Sequence, residues 1–332
     1  MFKIIQKSLV LVLVISCFAL NTACSKKTEQ VTENVTYRLK WIFNTSVVGD
    51  LYAKQHGIFA DSGLNVDIKP GGPEYDAIKE LELGRAQFGV ASADQVIRAV
   101  AKGASVVVIA QLFQVNPLQW IYRSDNIKIE TPEDLKGKII GITYGGNDES
   151  IMRTLLAKYK ITDKQVEFFS VHRDYTPFYK GKVDLWPVYR NSQGIFIGKK
   201  LTTAGENISF LNPDAFGIQF VANSVITSKQ MLEKRPQTVK KFITALVRAW
   251  DQAIDIQNHE KAVQTIHKFN ENTEPEIISE QLSITRNLIK PWPEFKTGTI
   301  NTQAWEQTEN IMLKQKLIKK HVDMNEILKD SL

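Results

Sequence analysis

Apolar positions recur along this chain at two spacings that alternate. Short runs rich in β-branched residues, VTYRLKW (35–41), GLNVDIKP (63–70), AQFGVAS (86–92) and SVVVIAQLF (105–113), predict strands. Between them, 51–56, YDAIKELELG (75–84) and DQVIRAVAKG (94–103) carry apolar residues at helical spacing. Gly57, Gly63, Gly84 and Gly103 stand near the element ends, so the order reads β-α-β-α and predicts a parallel α/β sheet. After PLQWIYRSDN (117–126) a second series starts: KIIGITY (138–144), a helix over 149–159, VEFFSV (166–171), DYTPFYKG (174–181) and VDLWPVY (183–189). From Pro236 the pattern is almost wholly helical, with a stripe of Val239, Phe242, Ile243, Leu246, Ala249 and Trp250.

Two α/β units joined by an extended segment predict two lobes with a cleft between them. In open α/β sheets ligands lodge beyond the carboxyl ends of strands, so the loops after Trp41, Ser92 and Tyr144, and the one around Trp186, face one crevice. The expected boundaries are 36–120 for the first part of lobe 1, 121–217 for lobe 2, and 218–332 for the rest of lobe 1 with the C-terminal helices.

The first thirty residues follow another logic. Lys3 and Lys7 precede an apolar stretch over 9–20 and then small residues, which predicts a signal peptide over 1–23. Both cysteines of the chain, Cys17 and Cys24, lie here, so the body has no disulfide, thiol nucleophile or thiolate metal site. Val14, Ile15 and Ser16 before Cys17 fit a lipoprotein signal better than Asn21, Thr22 and Ala23 before Cys24. Lipidation at Cys17 would cut the apolar region short, whereas Cys24 is followed by a polar stretch that makes 24–35 a tether; Cys24 is the favoured site.

Charge and motifs narrow the chemistry. A net charge of +6 over 332 residues, with no basic run interleaved with aromatics, argues against nucleic-acid binding. No G-x-G-x-x-G, P-loop or G-x-S-x-G occurs, and the five histidines lack metal-ligand spacing, so no metal or cofactor is expected. The HRD at 172–174 stands without the rest of a kinase signature. The turn YGGND (144–148) reads either as a helix cap, with Asn147 or Asp148 bonding first-turn amides, or as a ligand-facing turn. What remains is an inventory for holding a small molecule. Trp41, Trp186 and Tyr189 at strand ends could sandwich a planar ring, and Asn44, Asp94, Gln95, Asn147 and Asp184 could fix its polar edges. On that reading Trp186→Ala should weaken binding by roughly 2–4 kcal/mol and leave the fold intact.

The stretches RLKWIFNTSVVGDLYAKQHGIFADSGLNVDIKPGG, GVASADQVIRAVAKGASVVVIAQLFQ and TPEDLKGKIIGITYGGNDE resemble substrate-binding proteins of ABC importers. The branch resembled takes up thiamine pyrimidine precursors, alkanesulfonates and nitrate, with riboflavin binders close by. The resemblance covers most of 36–270 and implies a type II periplasmic binding protein: two α/β lobes, each a mostly parallel sheet, with the ligand between them. It further implies that Trp41, Asp184, Trp186, Tyr189, Asn147 and Asp148 line the cleft. The implied partners are a small nutrient, an importer's permease and ATPase, and a membrane through the lipid anchor, the protein itself being a monomer on the periplasmic side. The chain also resembles the fungal thiamine pyrimidine synthase, which consumes its own histidine and binds pyridoxal phosphate through a lysine. Ala91 and Gln95 stand where that lysine and histidine would be, and no cysteine run lies near FGIQFVANSV (216–225), so a binder is expected and not an enzyme. The ligand stays open: Asp94, Asp148 and Asp184 favour a neutral or cationic heterocycle, pyrimidine or flavin-like, over a sulfonate or nitrate anion.

Overall fold

The structure is a computed structural model and describes residues 32–72 and 74–329. The leader, both cysteines and most of the tether lie outside the described residues. Strand β1 (Glu33–Arg38) begins before the expected start at 36 and pairs in parallel with β2 (Leu64–Lys69) and β3 (Phe88–Ala91). With β4 (Val106–Gln111) and β10 (Ser224–Ser228) these make one lobe's sheet, in the order β2-β1-β3-β10-β4. Strand β10 returns after the whole second series and inserts antiparallel between β3 and β4. It is the antiparallel member of an otherwise parallel sheet, as a mostly parallel sheet allows. An antiparallel insertion follows because the chain re-enters the sheet from the opposite end after building the other lobe. β4 ends the order, yet all its residues are buried, because Leu328 and Gly298 bridge to Val108 and Gln111 and cover its free edge.

The second lobe contains β5 (Leu118–Arg123), β6 (Ile139–Ile142), β7 (Glu167–Ser170), β8 (Trp186–Tyr189) and β9 (Ile208–Leu211). β6 and β7 pair in parallel, whereas β8-β5-β9 is antiparallel, so this lobe is mixed. The two pieces join through Leu185, which bridges to Ile140 and accepts from the Gly141 N–H at 2.8 Å. Gly141 has no room for a side chain: a Cβ there would lie 2.7 Å from Val171.

The long helix Pro236–Ile254 starts on Pro at a position where the missing N–H costs nothing, and it covers the first sheet. Its Phe242 stacks on Phe88 with centroids 3.7 Å apart and meets the Tyr37 ring edge-on at 5.0 Å. At its far end Trp250 presses on Gly49 of the helix Val48–Gln55. Between the lobes a buried polar network replaces apolar packing. Thr45 Oγ1 donates to the Asn191 carbonyl at 2.6 Å, Asn191 Nδ2 to Thr285 Oγ1 at 2.8 Å, and Gln281 Nε2 to the Ser192 carbonyl at 2.8 Å. Each group is buried and each bond joins the two lobes, so shifting one lobe here would strand polar groups without water.

Candidate functional site

Two adjoining cavities open between the lobes. The first, about 100 Å³, is walled by Trp41, Tyr175, Trp186 and Tyr189, with Asn44 and Asn223 among its polar groups. The second, about 270 Å³, reaches outward past Gln95 to the exposed rings of Tyr75 and Tyr144. Lys40, Trp41, Thr143, Asn147 and Asp148 line both cavities and form the neck that joins them.

Each residue arrives there for a local reason. Trp41 follows β1, and the Arg173 guanidinium of the other lobe lies 6.0 Å from its ring centroid while donating to the Gly71 carbonyl at 3.1 Å. Asn44 caps the turn Thr45–Val47 by accepting from the Ser46 N–H at 2.8 Å. Gln95 accepts from both the N–H and the hydroxyl of Ser92, at 3.2 and 2.9 Å, which starts the helix Ala93–Ala101. The glycine turn before the helix Asn147–Lys158 needs Gly145, whose φ of 79° disfavours other residues. The Gly146 N–H bonds within the turn to Thr143, and the Gly145 N–H is taken by the Glu149 carboxylate at 2.7 Å. The N-cap position falls on Gly146 rather than on Asn147 or Asp148, because Asp148 turns back to accept from the Thr143 N–H at 2.6 Å.

Seven of the nine expected site residues line the cavities: Trp41, Asn44, Gln95, Asn147, Asp148, Trp186 and Tyr189. Two do not. Asp94 is fully buried, 3.8 Å from Arg98, whose guanidinium bonds Ser150 on the opposite lobe. Asp184 accepts from the Ile139 N–H at 2.8 Å and holds the second lobe's own sheet together. Both sit beside strand ends, as expected, but their carboxylates turn to the protein. Trp186 has a double position: it walls the first cavity, yet it is only 1% exposed and packs between Tyr175 and Phe178, each 6.0 Å away. Its burial argues against the expectation that removing its ring leaves the fold intact.

Lys40, Tyr175, His172, Gln193 and Asn223 line the first cavity without having been singled out. Lys40 is the most consequential. Its ammonium donates across the cleft to Asn147 Oδ1 at 3.0 Å and to the Tyr189 hydroxyl at 2.8 Å. The Tyr189 hydroxyl in turn donates to Asn223 Oδ1 at 3.2 Å. Burial pushes Asp148 up to about 6, against the opposing pull of the Thr143 N–H and the Lys40 charge. Burial, and to a lesser degree Tyr179, pushes the Tyr175 hydroxyl up to about 12, so it stays a neutral donor. The arrangement is an aromatic-walled slot whose neck sets Lys40 beside Asp148. It can hold a ring by stacking and burial and its polar edge by hydrogen bonds.

The family described as NMT1/THI5 like matches residues 44–260. The formylaminopyrimidine-binding protein of Halalkalibacterium halodurans is 24% identical over 316 residues, which cover 92% of this chain and 91% of that protein. The riboflavin-binding protein RibY of Chloroflexus aurantiacus is 23% identical, with 97% of this chain and 96% of that one covered. Among solved structures, the periplasmic aliphatic sulphonate binding protein SsuA of Escherichia coli superposes with a TM-score of 0.69 at 17% identity, over 90% of this chain and 92% of that one. The chain has the two-lobe fold of the periplasmic binding proteins.

Proposed function

The chain belongs to the NMT1/THI5-like family, and from that premise we propose that it is the substrate-binding lipoprotein of an ABC importer. It captures a small aromatic nutrient, a thiamine pyrimidine precursor or a riboflavin-like heterocycle, between its lobes. The observation that carries this reading is the slot itself, walled by Trp41 from one lobe and by Tyr175, Trp186 and Tyr189 from the other. Walls from both lobes mean that a ring bound there stabilises the approach of one to the other. Relatives that bind formylaminopyrimidine and riboflavin support a nitrogen heterocycle. In this reading lobe 1 comprises 33–117 and 218–329 and lobe 2 comprises 118–217, the expected boundaries moved to keep β1 and β5 whole, and the closed monomer delivers its cargo to a permease and ATPase.

Native mass spectrometry of protein purified from its own host tests the ligand class. A co-purified mass matching a pyrimidine or a flavin is expected; a bound peptide or sugar would overturn it. Lys40 in the neck favours a second reading, an anion of the alkanesulfonate or nitrate type, which the same measurement distinguishes. The relatives named as pyrimidine phosphate synthases raise the alternative of an enzyme. Gln95, at the position resembling the donor histidine, is committed to its helix cap. Incubation with pyridoxal phosphate, iron and oxygen should leave all five histidines with their imidazole mass. We place the protein on the periplasmic side of the envelope, anchored through Cys24. Cys24→Ser should abolish incorporation of labelled palmitate and Cys17→Ser should not; label persisting in Cys24→Ser refutes the anchor.

A further inference from the structure

The neck between the cavities has an imbalance of hydrogen-bonding groups. Lys40 carries three N–H bonds, of which two are used, on Asn147 and Tyr189. An ammonium can only donate, so the Asn147 amide must present its oxygen to Lys40 and keep its nitrogen for something else. That nitrogen is buried and has no partner, in a residue only 7% exposed. The Trp41 indole nitrogen is likewise buried and unpartnered. All three residues line both cavities.

The acceptors nearby are partly engaged: Asp148 accepts from the Thr143 N–H through Oδ2, Asn44 from the Ser46 N–H, and Asn223 from the Tyr189 hydroxyl, and none of them pairs the Asn147 or Trp41 nitrogen. Asp94 and Asp184 do not line either cavity. Buried donors left unpaired are costly, and a ligand that pairs them recovers that cost on binding.

We infer that the neck is an acceptor-binding site, built from Lys40 Nζ, Asn147 Nδ2 and Trp41 Nε1, and that Lys40 selects ligands bearing an electron-rich oxygen there. A ring carbonyl, a formyl oxygen and an oxyanion share that chemistry. A ligand whose polar end is a protonated amine meets an ammonium and two unanswered donors, with Asp148 as the one counter-charge in the neck, and is disfavoured. Of the neutral or cationic heterocycles that the three aspartates favour, the neck selects the neutral ones. This inference rests on the reading of the cleft as the binding site and deepens it.

The test uses a 5-formylaminomethyl pyrimidine, the same compound without its formyl group, and ethanesulfonate, each titrated calorimetrically at neutral pH. The formyl compound should bind wild type at least about 10-fold tighter than the amine, the worth of one charge-assisted hydrogen bond. Lys40→Met should weaken the formyl compound by about 10–100-fold and, by removing the repelling ammonium, tighten the amine. Trp41→Phe keeps a ring and removes one N–H, and should cost the formyl compound about 3–10-fold; it decides the matter if Lys40→Met does not fold. An amine that binds wild type as tightly as the formyl compound, or equal losses for both in the variants, overturns the acceptor site while the heterocycle reading stands. Lys40-dependent binding of ethanesulfonate with no binding of either pyrimidine keeps the acceptor site and overturns the pyrimidine reading. Binding of none of the three overturns both.

Discussion

Asp148 is a carboxylate only 5% exposed, and its proton affinity records that burial. Burial raises it from 3.8 to about 6, so the folded state binds the proton more readily than the unfolded chain does. Between those values the native form holds more protons than the unfolded one, and stability falls as pH rises. Below about 4 both states are protonated; above about 6 both are ionised and the full burial cost is felt. Asn at this position still accepts from the Thr143 N–H but never ionises. The stability of Asp148→Asn relative to wild type should therefore rise by on the order of 2–3 kcal/mol between pH 4 and pH 7. Urea unfolding at the two pH values checks this, and a flat difference would refute it. Trp186 is a second residue whose neighbours decide its cost. Between Tyr175 and Phe178 its removal leaves a hole, so Trp186→Ala should destabilise the ligand-free protein by about 3–5 kcal/mol. A melting temperature equal to wild type would show that its ring serves the ligand alone.

Between elements, the tightest contact is the helix Val48–Gln55 against the helix Pro236–Ile254. A Cβ on Gly49 would lie 2.2 Å from the Trp250 ring. Alanine improves helix propensity by about 1 kcal/mol at an exposed site, but here the overlap forces the helices apart. Gly49→Ala should lose about 3 kcal/mol, the upper end of overpacking, and a thermal melt showing a gain would contradict it. Periodicity made the strands β1 to β4, the helix stripe of Val239 to Trp250 and the loop cluster around the cleft legible before any coordinates. It left β10 unread, since SVITS is short and its place between β3 and β4 is set by partners far away in sequence. The same limit applies within the site. Trp41, Asn147 and Tyr189 could be found because strand ends point at ligands. Lys40 could not, because a lysine beside a strand reads as solvated until the opposing lobe brings Asn147 and Tyr189 to it. Asp94 and Asp184 were legible as polar residues at strand ends, while the backbone and arginine that claim them were not.

At the scale of the whole molecule, ties run across the cleft in both directions. Lys40 reaches from the first lobe to the second, and Arg173 from the second to the Gly71 carbonyl of the first. Behind them the network around Asn191 joins the lobes on the buried side of the cleft. The consequence is one of timing. A molecule outside must wait for these ties to let go, so the rate of capture is set by the protein's own opening once nutrient is abundant. In stopped-flow tryptophan fluorescence the observed rate should level off as ligand concentration climbs, at a ceiling that is a property of the protein. Arg173→Ala, lacking one tie, should lift that ceiling several-fold. A rate that climbs linearly with no ceiling, alike in both proteins, would mean that the cleft stands ready and that diffusion alone sets the pace of uptake.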